Sequence, residues 1–309
     1  MQLPISIVIP TFNRQALLVA VLPSYIQQQC SQIIIVDDHS TPPLDETLCR
    51  ACSPSSNIRV IRNSRRLQQP GSRMAGTAAA TEPYILFGED DVFLEPGFAE
   101  SLLSYLQSGE FDMVAPRRIT IRSHPANLRQ IPRGAEASTA AQIVTLGDFT
   151  ITTKAHPIRP LPVPFLHSNA LMQRAAVNAV RFDSHYSGNA FREETDFYLR
   201  AGLAGYRMAY VPGPAALHYK GTEAIYGGQH KPGVFSLLWY EYHTARNNYY
   251  FLRRFAEDPE YNPYCNHPVW RTAGMMVRRA VHYPARLLGE THSGRKVRSI
   301  VIPRGREAQ

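Results

Sequence analysis

The densest concentration of reactive side chains lies in residues 84–97. An apolar run, YILF, leads straight into Glu89-Asp90-Asp91 and out again through apolar residues. Burying carboxylates beside an apolar strand is costly unless a cation or hydrogen bonds compensate, and three of them at one strand end repel one another. A divalent cation removes that repulsion, and hard oxygen ligands suit Mg²⁺ or Mn²⁺. The chemistry this suggests is a metal–diphosphate site, and the plain alternative is a solvated acidic turn. Other polar groups bear on the choice. Thr11 follows the run ISIVIP, and Asp37-Asp38 follows IIIV. Glu193, Glu194 and Asp196 open an apolar-periodic stretch, where the helix macrodipole by itself favours acids.

Alternating strands and helices must position these residues. The short apolar runs at 5–10, 33–36, 58–61 and 84–87 read as buried strands. Between them, residues 14–29 show helical apolar spacing with Pro23 as a kink, and 44–51 and 72–80 read as shorter helices. Short all-apolar strands separated by helices imply a parallel sheet covered on both faces. Ligands bind beyond the carboxyl ends of such strands, and Thr11, Asp37-Asp38 and the acidic triplet each fall at one of those ends. Three strands delivering polar groups to one edge are harder to ascribe to chance than one acidic turn. Neither GxGxxG after the first strand nor a P-loop pattern is present, so a dinucleotide site and a P-loop are both unsupported.

Downstream, the spacing predicts a helix over 95–106 with Pro96 in its first turn. It predicts one strand over 113–121, with Pro116 and Arg117-Arg118 at a rim. Residues 122–164 are rich in Pro, Arg and Ala and carry little pattern beyond a strand at 143–146; 165–172 reads as strand or loop. A short helix at 174–180, a longer one within 191–206 and a strand at 208–211 lead to Leu217-His218-Tyr219. Residues 234–255 and 269–288 interleave aromatic with basic side chains and read as two amphipathic helices. Residues 295–306 form a basic tail. The expected division is a catalytic domain at 1–230, a helical region at 231–290 and a flexible tail at 291–309.

Composition sets outer bounds. With 309 residues, 44% of them hydrophobic, the chain can bury a sizeable core. A net charge of +8 favours anionic partners in general. Cys30, Cys49, Cys52 and Cys265 read as ordinary reduced thiols, since Cys49-x-x-Cys52 has no second pair at zinc spacing. The first residues lack a basic signal-peptide region, and no apolar run approaches the roughly 18 residues of a spanning helix. The expected location is cytoplasmic, with peripheral contact to the inner face of the cell membrane.

Four segments in order resemble the family 2 glycosyltransferases of the GT-A fold, over roughly residues 4–250. They are ISIVIPTFNR, IIIVDDHS, GSRMAGTAAATEPYILFGEDDVFLEPG and FREETDFYLRAGLAGYRMAYVPGPAALHY. The resemblance implies an α/β, mostly parallel Rossmann-like sheet with helices on both faces. It also implies inverting, metal-dependent transfer from a UDP-, GDP- or dTDP-sugar to a glycan or lipid-linked acceptor, in cell-surface polysaccharide or glycolipid assembly. Such a displacement needs a base for the acceptor hydroxyl and a cation for the departing diphosphate. By resemblance, Asp91 and Asp90 hold Mg²⁺ or Mn²⁺, with Asp90 shared with the ribose and His218 as a further ligand. Thr11, Asp37 or Asp38, Arg73 and Arg14 grip the nucleotide. Glu194 takes the base position, Glu193 stands beside it as the rival, and Asp196 supports the local geometry. Adjacent like charges raise one carboxylate's pKa, which suits a base near neutral pH. The sequence departs from the family's pattern with Glu89 where Asp often leads the triplet and Glu194 where the base is often Asp. The C-terminal helices leave three readings open: an acceptor cover, a homodimer contact, or a seat on an acidic membrane. Nucleic acid is not among the expected partners. A nucleotidyltransferase would need a glycine- and lysine-rich first loop, which TFNRQ is not. A degenerate, membrane-associated binding module would have lost acids that are intact here.

Overall fold

The computed structural model describes residues 2–52, 57–127, 131, 132, 134–220 and 234–291. The tail expected beyond α9 therefore lies outside the described residues. The element order is β1 (Leu3–Thr11), α1 (Gln15–Ile26), β2 (Cys30–Asp37), α2 (Glu46–Ala51), β3 (Ile58–Arg62), α3 (Gln68–Ala79), β4 (Tyr84–Phe87), β5 (Val92–Leu94), α4 (Phe98–Gln107), β6 (Met113–Ala115) and β7 (Arg118–Ile121). It continues with β8 (Glu136–Ala137), β9 (Val144–Thr145), β10 (Thr150–Ile151), β11 (His156–Pro157), β12 (Leu161–Pro162), β13 (Leu171–Gln173), α5 (Arg174–Val180), α6 (Glu193–Leu203), β14 (Met208–Tyr210) and β15 (Ala216–Tyr219). The last elements are α7 (Val234–Phe255), α8 (Asn262–Cys265) and α9 (Pro268–Thr291).

The central sheet runs β12-β14-β6-β13-β4-β1-β2-β3. Strands β3, β2, β1 and β4 are mutually parallel, and β14 is parallel to β6, while β13 and β12 run antiparallel to their neighbours. The expected mostly parallel α/β sheet is therefore present. Register aligns the carboxyl ends, with Thr11 opposite Asp37 and Asp37 opposite Arg62. β1 is buried from Ile5 to Thr11, as a strand covered on both faces must be.

One glycine shows how closely the cover is drawn. A Cβ on Gly76 of α3 would lie 2.3 Å from Val8 Cγ1 and 3.1 Å from Val36 Cγ2. The helix backbone therefore rests on the β-branched side chains of β1 and β2, and the residue three earlier on the same helix, Arg73, is buried with it.

Several elements differ from expectation for local reasons. The helix expected from residue 95 begins at Phe98, behind Gly97 in the left-handed region. The apolar residues after the acidic triplet form β5, because Val92, Phe93 and Leu94 are all buried. The strand expected over 113–121 is two strands, β6 and β7, parted at Pro116-Arg117, where proline supplies no N–H to continue a ladder. β6 stays in the central sheet, and β7 joins a second sheet of order β5-β15-β7. The poorly patterned segment is built from two-residue strands paired β9 with β10 and β8 with β11.

The chain divides into two compact units, Met1–Asn247 and Asn248–Gln309, the boundary falling inside α7. The second unit has its own small core of Phe251, Phe255, Tyr261 and Cys265. None of the four cysteines is in a disulfide. Among the described residues, no helix is long and apolar enough to cross a membrane.

Gly76→Ala is expected to lower stability by about 1–3 kcal/mol through overpacking, although alanine is the better helix former. Denaturant titration measures this, and a stabilised variant would show that α3 is free to lift from the sheet.

Candidate active site

Beyond the carboxyl end of β4 the three acids part company, each with its own compensation. Glu89 meets the Arg118 guanidinium of β7. Its backbone is braced by Tyr25 of α1, whose hydroxyl donates to the Glu89 carbonyl and accepts from its N–H, both at 3.0 Å. Asp90 takes the Thr11 hydroxyl at 2.8 Å on one oxygen and Arg14 Nη1 at 2.7 Å on the other. Asp91 Oδ2 accepts from Arg14 Nη2 at 3.0 Å and lies 3.6 Å from His218 Nε2. His218 reaches this position because β15 pairs antiparallel with β5, placing His218 opposite Val92.

The acids respond differently to these surroundings. Burial drives Asp90 up to about 7, with Arg14 opposing the rise and Asp91 adding to it. Asp91 is also penalised by burial, but the hydrogen bond with His218 and the Arg14 guanidinium outweigh that and hold it well below the usual carboxylate range. Asp91 therefore stays charged.

Asp91 and His218 could hold a divalent cation. Among the described residues no group of three His, Cys, Asp or Glu side chains is gathered for an ion. A pair of donors still fits one that completes its shell with phosphate oxygens and water, as Mg²⁺ habitually does.

The second acidic cluster lies across Arg73. Its guanidinium is 1% exposed and forks between Glu193 Oε1 at 2.8 Å and Glu194 Oε1 at 2.7 Å. It lies over the rings of Phe87 and Phe182, at 5.5 and 5.1 Å. The two glutamates are not equivalent. Glu193 is buried, with Oε2 unpartnered, whereas the Glu194 side chain is 30% exposed. Burial lifts Glu193 to about 8, against the pull of Arg73 and with the push of Glu194. Asp196 is fully buried and braces the helix, accepting from the Tyr186 hydroxyl at 3.0 Å and from Arg200 Nε at 2.7 Å.

The loop entering α6 is tied down as well. Asn189 Nδ2 donates to the Tyr240 carbonyl at 3.0 Å and to Thr244 Oγ1 at 2.6 Å, and Asn247 Nδ2 to the Ser187 carbonyl at 2.9 Å. Gly188 allows the close approach: its φ is +73°, and a Cβ there would come within 2.2 Å of the His243 ring.

Asp37 and Asp38 sit at the same sheet edge but spend their oxygens on loops. Asp37 accepts from the Ser40 N–H at 2.8 Å and from Arg62. Asp38 accepts from the N–H groups of Leu67 at 2.7 Å and Gln68 at 2.8 Å and from Asn63 Nδ2 at 2.9 Å. They shape the edge, and Thr11, Arg14, Ser40 and Thr41 line a pocket of about 150 Å³ upon it. A larger cavity of about 490 Å³ beside Tyr84 and Arg174 lies at the other end of β4, away from these acids. Arg14, expected on the nucleotide, lies on the acids, and Arg73, expected there too, lies on the glutamates. Sequence reasoning passed over Arg118 and Tyr25. The signal for Arg118 was charge balance, since three buried acids need cations. The signal for Tyr25 was a hydroxyl on an otherwise apolar helix face, which needs a partner once buried.

A mostly parallel α/β sheet with acids gathered at its carboxyl edge defines a GT-A-type fold. The solved structures agree. Staphylococcus aureus TarS residues 1–349 in complex with UDP-GlcNAc superpose with a TM-score of 0.56 at 16% identity, covering 85% of this chain and 69% of that one. A longer TarS structure gives 0.52 at 17%, covering 85% of this chain and 45% of that one. An uncharacterized glycosyltransferase of Haemophilus influenzae is 30% identical over 132 residues, which are 42% of this chain and 41% of the relative. The chain thus spans less than half the length of that relative. The sequence profile of Glycosyl transferase family 2 matches residues 6–181, and the chain belongs to that family.

A raised carboxyl pKa contributes stability that is complete below the unfolded value, about 4.5, and is lost as pH rises through about 8. Stability should therefore fall between those values, and Glu193→Gln, which mimics the neutral acid, should flatten the fall. Denaturation midpoints across that range test it. An unchanged slope would place the titration elsewhere.

Proposed function

We propose that the protein transfers a sugar from a nucleotide-sugar donor to an acceptor hydroxyl with inversion at the anomeric carbon. The observation that carries this reading is a pair of acidic sites linked through Glu89, whose charge acts on both Arg73 and Glu193. One is a charged Asp91 beside His218 at 3.6 Å; the other is a partly exposed Glu194 fixed by Arg73 at 2.7 Å. A donor of the UDP-sugar class is supported by the UDP-GlcNAc complex of the structural neighbour.

Glu194 accepts the proton of the acceptor hydroxyl as its oxygen bonds to the anomeric carbon and the bond to the diphosphate breaks. Its exposure favours it over Glu193, which stays buried and neutral and fixes Arg73. Asp91 and His218 would hold Mg²⁺ or Mn²⁺, which supplies positive charge for the departing diphosphate. Thr11 and Arg14 border the pocket that would take the nucleoside, both held by Asp90, and Asp37 and Asp38 act through the loops they fix.

The acceptor is a glycan or lipid-linked glycan of the cell surface. α9 offers support, exposing Trp270, Val277 and Val281 at 77, 62 and 69%, at a spacing that places them on one face of a helix. Such a face suits the surface of an acidic membrane at the cytoplasmic side, or a second copy of the chain.

Glu194→Gln should keep donor binding while lowering transfer by about 10²–10⁴-fold. Glu193→Gln should retain most activity. If Glu193→Gln is the dead variant, the base is misassigned. Asp91→Asn should abolish metal-stimulated turnover in a folded protein, and full activity there would remove the cation from the mechanism. Thermal shifts with UDP-, GDP- and dTDP-sugars in Mn²⁺ or Mg²⁺ identify the donor, since a bound donor raises the melting temperature by mass action.

A further inference from the structure

Arg14 stands where a cation would be drawn. One nitrogen lies 2.7 Å from Asp90 Oδ1 and the other 3.0 Å from Asp91 Oδ2, and its side chain is 12% exposed. The guanidinium thus straddles adjacent carboxylates on a different element from its own, 76 and 77 residues away in sequence. The same Asp91 oxygen faces His218. A divalent ion bound to a carboxylate oxygen sits at about 2.0–2.1 Å for Mg²⁺, closer than the guanidinium does. Two cations sharing one oxygen in a poorly hydrated site repel strongly. Arg14 precedes α1 as its N-cap residue. It borders the 150 Å³ pocket with Thr11, Asn13 and Ser40.

We propose that Arg14 is the resident counter-ion of this site. It competes with a divalent cation for Asp91, so that the cation binds tightly only together with a diphosphate that takes over the guanidinium. The inference rests on the reading of Asp91 and His218 as cation ligands. It goes beyond that reading in making cation and donor mutually dependent: neither half of the ligand alone can satisfy both the carboxylates and the arginine. A planar guanidinium with several donors is suited to either partner, carboxylate or phosphate.

The test is Mn²⁺ binding in the absence of nucleotide, followed by the loss of the free-ion electron paramagnetic resonance signal, in the wild type, Arg14→Gln and Arg14→Gln/Asp91→Asn. Arg14→Gln should bind Mn²⁺ about tenfold more tightly or better, and the double variant should lose that gain. Arg14→Gln should also melt lower than the wild type without Mn²⁺ and recover more on adding it, because unshielded Asp90 and Asp91 repel until an ion arrives. A merely structural arginine would lower the melting temperature without tightening Mn²⁺. Equal or weaker Mn²⁺ binding in folded Arg14→Gln, with saturable binding in the wild type, overturns the counter-ion role and leaves the cation site standing. Absence of saturable Mn²⁺ binding in both proteins overturns the cation reading and this inference with it.

Discussion

The arrangement depends on one buried guanidinium. Taking Arg73 out of water costs several kcal/mol, and the fold meets that cost with two glutamate side chains from a helix about 120 residues further along and two aromatic rings. Because each partner comes from a different part of the chain, Arg73 can be satisfied only when α3, β4 and α6 are all in place. The more exposed glutamate, Glu194, is therefore held by the same contact that joins α3 to α6. Gly76 sets the depth of that contact, since α3 can carry Arg73 inward only by resting its backbone on β1 and β2.

The acidic triplet follows a related logic, distributed over more partners. Three adjacent acids at one strand end would repel as a block, and the fold separates them by direction. Glu89 turns to Arg118, Asp90 to Thr11 and Arg14, and Asp91 to Arg14 and His218. Neighbours in sequence thus end with opposite electrostatic fates, Asp90 pushed toward neutrality and Asp91 held charged. Glu89 also stays charged but is paired with Arg118, whereas Asp91 keeps its charge directly beside the His218 imidazole, the combination a cation seeks.

Much of this was legible from residue types. β1 to β4 announce themselves as short apolar runs, and the polar residues that follow each one share an edge because parallel strands align their ends. β-branched runs such as ISIVIP and IIIV leave little choice of element. What was illegible depended on pairing at long range. Nothing local marks Val92–Leu94 as a strand until β15 lies beside it. Residues 113–121 look continuous, yet Pro116 divides them between two sheets. Arg14 and Arg73 could be recognised as important but not assigned to partners, since a long cationic side chain reaches many acids and only the tertiary fold selects among them. The segment 122–164 was unreadable because two-residue strands carry no periodicity.

The meeting of β5 and β15 carries a consequence for how this chain can vary. Glu95 closes the pair from both sides: its N–H donates to the Ala215 carbonyl at 3.1 Å, and its carboxylate accepts from the Ala215 N–H. That clamp fixes a count, with His218 three residues beyond Ala215. Side chains along a strand alternate between faces, so parity decides which residue meets Asp91. One residue gained or lost between the clamp and His218 would turn Leu217 or Tyr219 toward the acid and the imidazole away. Changes of length in the Pro212–Pro214 turn lie outside the clamp and leave the count intact. The lineage of this fold is therefore free to remodel that turn, while the three-residue step behind it is arithmetically frozen.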